Sequence, residues 1–192
     1  MKAIQRTSIR LYANPQRVLA RYLNVGNAVR IAPVADYVRE LSVDAVAEQL
    51  ESLNQEFGQR HADLTAVFRK NYERLLQYVP PLENADKQVL LGAYFTNEYS
   101  IEAAALFNPS IVAHPDQEGV PNGAIRFFMS LRATGEGHIS SITFATGLID
   151  AQGNILLDER SGHLDSGDVT TDLVREKSFV TKRLNLSEAF QR

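Results

Sequence analysis

The chain contains no cysteine and no tryptophan among its 192 residues. Without cysteine it can form no disulfide framework, no thiolate metal site and no cysteine nucleophile. It also lacks any apolar run near the roughly 20 residues a membrane-spanning helix needs. Its opening, Met1 to Arg10, has no apolar signal-peptide core. Neither charge sign dominates: 20 Lys+Arg face 23 Asp+Glu, a formal net charge of -3. That balance argues against a nucleic-acid binder. There is no phosphate-loop Gly-Lys-Ser/Thr and no Gly-x-Ser-x-Gly elbow. Gly135-Glu136-Gly137 lacks the third glycine and the following helix of a dinucleotide site. His61, His114, His138 and His163 are scattered, with no pair at the helical spacing of a zinc site, so no metal is expected. These absences point to a cytoplasmic protein with no membrane or nucleic-acid partner.

What is present divides the chain in two. Up to about residue 106 the pattern is helical. Ser42 is a good N-cap, because its oxygen can accept from an orphan backbone N–H of the next turn. After it Val43, Val46, Ala47, Leu50, Leu53 and Phe57 recur at helical spacing, and Gly58 stands at the end. Leu64, Val67, Phe68, Leu75, Leu76 and Val79 repeat the pattern until Pro80-Pro81 stops it. A third helix is expected after Asn84, carrying Val89, Leu90, Ala93 and Tyr94. It is read as breaking near Thr96 and resuming through Ser100 to Ala105.

The second half alternates with the period of two that strands require. Ile125, Phe127, Met129 and Leu131 share one face of a strand; Arg126, Phe128, Ser130 and Arg132 share the other. A shorter strand, Phe107 to Ala113, precedes it. Ile139 to Asp150 follows it, with Ile142, Phe144 and Leu148 on one face. The turn Asp150-Ala151-Gln152-Gly153-Asn154 leads to Ile155-Leu156-Leu157. The expected class is α+β: a helical region, then one antiparallel four-stranded sheet, which is also the unit of a propeller blade. Three segments follow: a strand/helical extension over 1–106, the sheet over 107–160, and a polar, partly helical tail over 161–192. The helical part of the tail is expected from Val174 to Phe190.

Two groups of polar residues invite a chemical reading. Glu98 and Glu102 stand four apart and would share a face of a continuous helix. Paired carboxylates can perform acid/base work on a glycosidic bond, but a solvated face with a capping contact near Ser100 is the commoner account of the spacing. Asp150 is a further carboxylate for such a small hydrolase. The denser group is Asn108-Pro109-Ser110, the strand end Ser130-Leu131-Arg132, the turn Gly135-Glu136-Gly137-His138, and Ser140-Ser141. Sugar hydroxyls need directed donors and acceptors of this kind. The arginine fork also suits phosphate or carboxylate. By spacing alone, an exposed hairpin with a surface arginine accounts for the group.

The runs Tyr99 to Val112 and Phe128 to Ile142 resemble segments of glycoside hydrolase family 130. Ile9 to Leu19 resembles the opening of members with a helical N-terminal extension. The likeness covers most of the chain to about residue 160. That family contains β-mannoside phosphorylases and β-mannosidases built on a five-bladed β-propeller. The resemblance implies that Asn108 and Ser110 line the sugar pocket on the first blade. It implies that Arg132 contacts substrate at the central funnel, with Glu136, His138, Ser140 and Ser141 near its rim. In the phosphorylases the general acid is an aspartate in a Glu-Asp-Pro-Arg-like or Glu-Asp-Ala-Arg-like motif. That motif is missing here.

The expectation is therefore an N-terminal piece of a β-mannoside-active glycosidase or phosphorylase. It would bring sugar-binding residues, no catalytic residue and no cofactor, and would be inactive alone. Inorganic phosphate would be a co-substrate of the complete enzyme. Its partners would be a β-mannoside or related oligosaccharide and the remaining blades, on a longer or separate chain, with a homo-oligomer also open. The alternative is a non-enzymatic helical docking or oligomerisation module with a small sheet.

Overall fold

The computed structural model describes residues 7–164. It is a mixed α+β architecture with four α-helices and two antiparallel sheets. The first region contains β1 (Val18–Tyr22), α1 (Ala28–Glu40), α2 (Val43–Phe57), α3 (Leu64–Leu75), α4 (Ala85–Tyr94) and β2 (Thr96–Ser100). The second contains β3 (Ala105–Ala113), β4 (Ile125–Thr134), β5 (Ser140–Ile149) and β6 (Ile155–Leu157). The expected helix from Val174 to Phe190 lies outside the described residues.

The helices start where short polar side chains can satisfy orphan N–H groups. Ser42 accepts from Ala45 N at 3.2 Å, Asp63 from Ala66 N at 2.9 Å, and Asn84 from Lys87 N at 2.9 Å. Their apolar stripes meet in one core that includes Ile31, Val38, Val46, Leu75, Leu90 and Leu91. Helices α3 and α4 approach at Gly92. A Cβ there would lie 1.9 Å from the Phe68 carbonyl oxygen, so only glycine permits this backbone contact.

Helix α1 is not among the expected helices; Pro33 lies inside it. Asn27 caps it, and Ile31, Ala35 and Val38 bury at helical spacing. The larger correction lies after α4. The helix stops near Thr96 as expected, ending at Tyr94, where the Thr96 hydroxyl donates to the Gly92 carbonyl at 2.8 Å, but it does not resume. Thr96–Ser100 then pairs with β1 in antiparallel register, Glu98 opposite Ala20. Glu98 is thus on a strand and Glu102 in the following turn, so they share no helix face. A distant strand partner outweighs local helical spacing here.

The four-stranded sheet has the order β3-β4-β5-β6. Its inner face is a layer of unequal partners. Phe127 pairs with Gly147, Met129 with Ala145, and Leu131 with Thr143. Large residues of β4 lie beside small ones of β5, which lets the buried layer fill without overpacking. The outer face of β5 consequently carries Ile142, Phe144 and Leu148 together, as the alternation predicts. Ile142 and Phe144 are 60% and 61% exposed, with Val112 at 62% and Leu156 at 58% on the same face. On the inner face, Leu11 from the segment before β1 packs against Phe127 and its neighbours, together with Leu106 of β3 and Leu157 of β6. No described helix is long and apolar enough to cross a membrane.

Candidate functional site

Of the polar residues nominated from sequence, the register brings Ser110 and Arg132 together toward one end of the outer sheet face. Pairing puts Phe107 opposite Arg132, and Arg132 opposite Ile142. One row further, Ser110 faces Ser130, which faces Phe144. Between these rows β3 bulges: Asn108 and Pro109 stand against the single residue Leu131. A bulge inserts one extra residue and bends the strand. Asn108 takes φ 53°, a left-handed conformation that asparagine tolerates better than most residues. Asn108 is exposed in this bulge, between Phe107 and Ser110 on the strand.

The Arg132 side chain is fixed from two sides. Its Nε and Nη2 donate to the Ser140 Oγ at 3.1 and 2.8 Å. Its guanidinium carbon stands 5.1 Å from the centre of the Phe107 ring. Such a contact is worth about 0.5–1 kcal/mol at an exposed site. Of the residues the resemblance puts near the rim, Ser140 is the one that touches Arg132. The signal for it was the period of two: Ser140 is the same-face neighbour of Ile142 and lies opposite Thr134.

The other nominated residues go elsewhere. Ser141 pairs with the buried Ala133 and so belongs to the inner face. Glu136 turns toward β2, where its Oε1 accepts from Ser100 N at 3.3 Å and its carbonyl accepts from the Tyr99 hydroxyl at 3.3 Å. Gly135 makes this approach possible, since a Cβ there would lie 2.5 Å from the Ser100 carbonyl oxygen. His138 sits in the β4–β5 turn at φ 60°, exposed. Asp150 is engaged in its own turn, accepting from Gln152 N at 2.9 Å and Asn154 N at 2.8 Å. The Asn154 side chain holds its carboxyl below the usual range.

Glu98 and Glu102 each anchor a separate ionic cluster. The fully buried Glu102 accepts from Arg17 Nη1 at 2.6 Å, from Arg160 Nη2, and from Asn14 N at 3.1 Å. Burial lowers the Arg17 guanidinium from its ordinary value, and Glu102 opposes that shift. This cluster straps the segment before β1, the β2–β3 turn and the segment after β6 over the inner sheet face. Glu98 is gripped by Arg60 through both oxygens, at 3.0 and 2.8 Å, and by His61 Nε2 at 2.7 Å. Burial alone would raise the Glu98 carboxyl. The hydrogen bonds from Arg60 and His61 outweigh it and hold the group below its ordinary value. Beside it, Leu53, Phe57, Leu64 and Phe68 line a largely apolar hollow of about 100 Å³. Neither carboxylate faces the other, as a glycosidic acid/base pair must. Among the described residues no group of three metal-ligating side chains comes together.

No protein-family model, curated protein or solved structure matches the chain.

Proposed function

We propose that this chain is the helical extension and first propeller blade of a β-mannoside-active enzyme resembling glycoside hydrolase family 130. In this reading Asn108, Ser110 and Arg132 supply part of a sugar pocket, and the general acid comes from a later blade. One observation carries it: the four-stranded sheet has a finished inner face and a bare outer face. The bare face combines a polar end, Arg132 with Ser110, Ser130 and Ser140, with the exposed apolar residues Val112, Ile142, Phe144 and Leu156. Contiguous exposed apolar surface marks a site for another partner, and stacked sheets bury such faces against each other at about 10 Å. A neighbouring blade would cover the face from Val112 and Leu156 up to Phe144, leaving the end row with Arg132 and Ser140 at the funnel. The chain alone then breaks no glycosidic bond, whether phosphate or water is the acceptor.

The test is reconstitution. The chain is produced alone and together with a polypeptide carrying the remaining blades and a Glu-Asp-Ala-Arg or Glu-Asp-Pro-Arg motif. Each is incubated with β-1,4-mannobiose, with and without inorganic phosphate. The expected result is mannose or mannose 1-phosphate from the joined protein only. Enzymatic turnover by the chain alone overturns the reading. The docking-module reading draws on the same bare face. Light scattering separates the two, because a self-associating module forms a defined oligomer without added blades.

A further inference from the structure

Arginine can meet a ligand by its side edge, Nε with one Nη, or by its end edge, Nη1 with the other Nη. At Arg132 that choice is already made. Ser140 Oγ accepts from both Nε and Nη2 and so occupies the side edge. The Phe107 ring lies against the guanidinium. Nη1 hydrogen-bonds to nothing among the described residues, and one Nη2 hydrogen also remains. Among the described residues two parallel N–H groups therefore stay available at the end edge.

We infer that Ser140 and Phe107 are positioning residues that present Arg132 end-on, as a two-point donor to a pair of adjacent oxygens on a polyhydroxylated ligand. The inference rests on the sugar-pocket reading for the ligand, but the brace itself stands on the geometry alone. The pairing register gives it rigidity. Phe107 is on β3, Arg132 on β4 and Ser140 on β5, so three hydrogen-bonded strands fix the three side chains. Sites built on strands hold their geometry better than sites built on loops. An arginine braced this way loses less conformational freedom on binding than a free surface arginine.

The brace is read by NMR on the full chain. The Arg132 Nε–H signal, assigned by its disappearance in Arg132→Lys, should exchange slowly with water. Ser140→Ala should speed that exchange by about tenfold, the scale of one lost hydrogen bond. Ser140→Thr, which keeps the hydroxyl, should restore slow exchange, and Phe107→Leu should give an intermediate rate. Ser140 is exposed, so circular dichroism should be unchanged across the series. Exchange that is equally fast in the native chain and in Ser140→Ala overturns the brace, whatever the ligand. In the reconstituted enzyme, Ser140→Ala should raise KM for β-1,4-mannobiose more than it lowers kcat, and Ser140→Thr should rescue it. Slow Nε–H exchange with an unchanged KM in Ser140→Ala overturns the end-on contact and leaves the brace standing. Loss of all turnover in every joined protein, with the brace intact, counts against the sugar-pocket reading instead.

Discussion

The two faces of the four-stranded sheet are built from the same strands and meet different fates. On the inner face, large residues of β4 sit beside small ones of β5, and extended segments seal them in. The seal is held by Glu102 between two arginines. On the outer face, Phe144 and Ile142 project from β5 with nothing described above them. The first face is self-sufficient. The second has the apolar content of a buried surface without a cover. A strand assigns residues to faces by strict alternation. Only the partners decide which face becomes interior.

The largest expected effect strikes the seal. Glu102→Gln removes the counter-charge from two guanidiniums and should cost about 5 kcal/mol, read by chemical denaturation. A change within about 0.5 kcal/mol, typical of surface sites, would mean that the inner face does not depend on this cluster. Phe127→Ala opens a cavity opposite Gly147 and should cost about 3–4 kcal/mol. Phe144→Ser, three pairing rows away on the outer face, should stay within about 0.5 kcal/mol in the chain alone. If Phe144→Ser cost as much as Phe127→Ala, the contrast between the faces would collapse. Phe144→Ser should nonetheless weaken association with the remaining blades, measured by co-purification.

Acid sharpens the contrast with the helical region. The folded Glu98 carboxyl lies below its unfolded value, so its contribution is complete above that value, about 4.3. It is lost as pH falls from there through the lower folded value. Denaturation profiles of the native chain and Glu98→Gln should converge across this window, with the native chain more stable above it. Parallel profiles would remove the Arg60–Glu98–His61 cluster from the stability of the helical region.

Much of this was legible from local chemistry. Ser42 and Asn84 cap as their side chains predict, and the alternation of β4 and β5 assigns faces correctly. The short strand β2 was not legible, because its partner β1 lies far away in sequence and the intervening spacing mimics a helix. The site was legible in part. Ser110 and Arg132 come together through register, with Asn108 carried by the bulge. Ser141 and Ser140 are adjacent in sequence but opposite in face, so which of the two reaches Arg132 depends on pairing. Glu136 is drawn away by Tyr99 and Ser100, contacts that no local pattern announces.

The Glu102 cluster also sets a timetable. Arg17 lies 85 residues before Glu102, and Arg160 lies 58 after it. Such high contact order slows folding, because chain closure precedes any reward from the contact. The capped helices, whose contacts are more local, can form while the sheet is still emerging from the ribosome. Until Arg160 arrives, Glu102 must share a half-built interior with Arg17 alone. The clasp can therefore be completed only once Arg160, three residues beyond β6, is part of the chain.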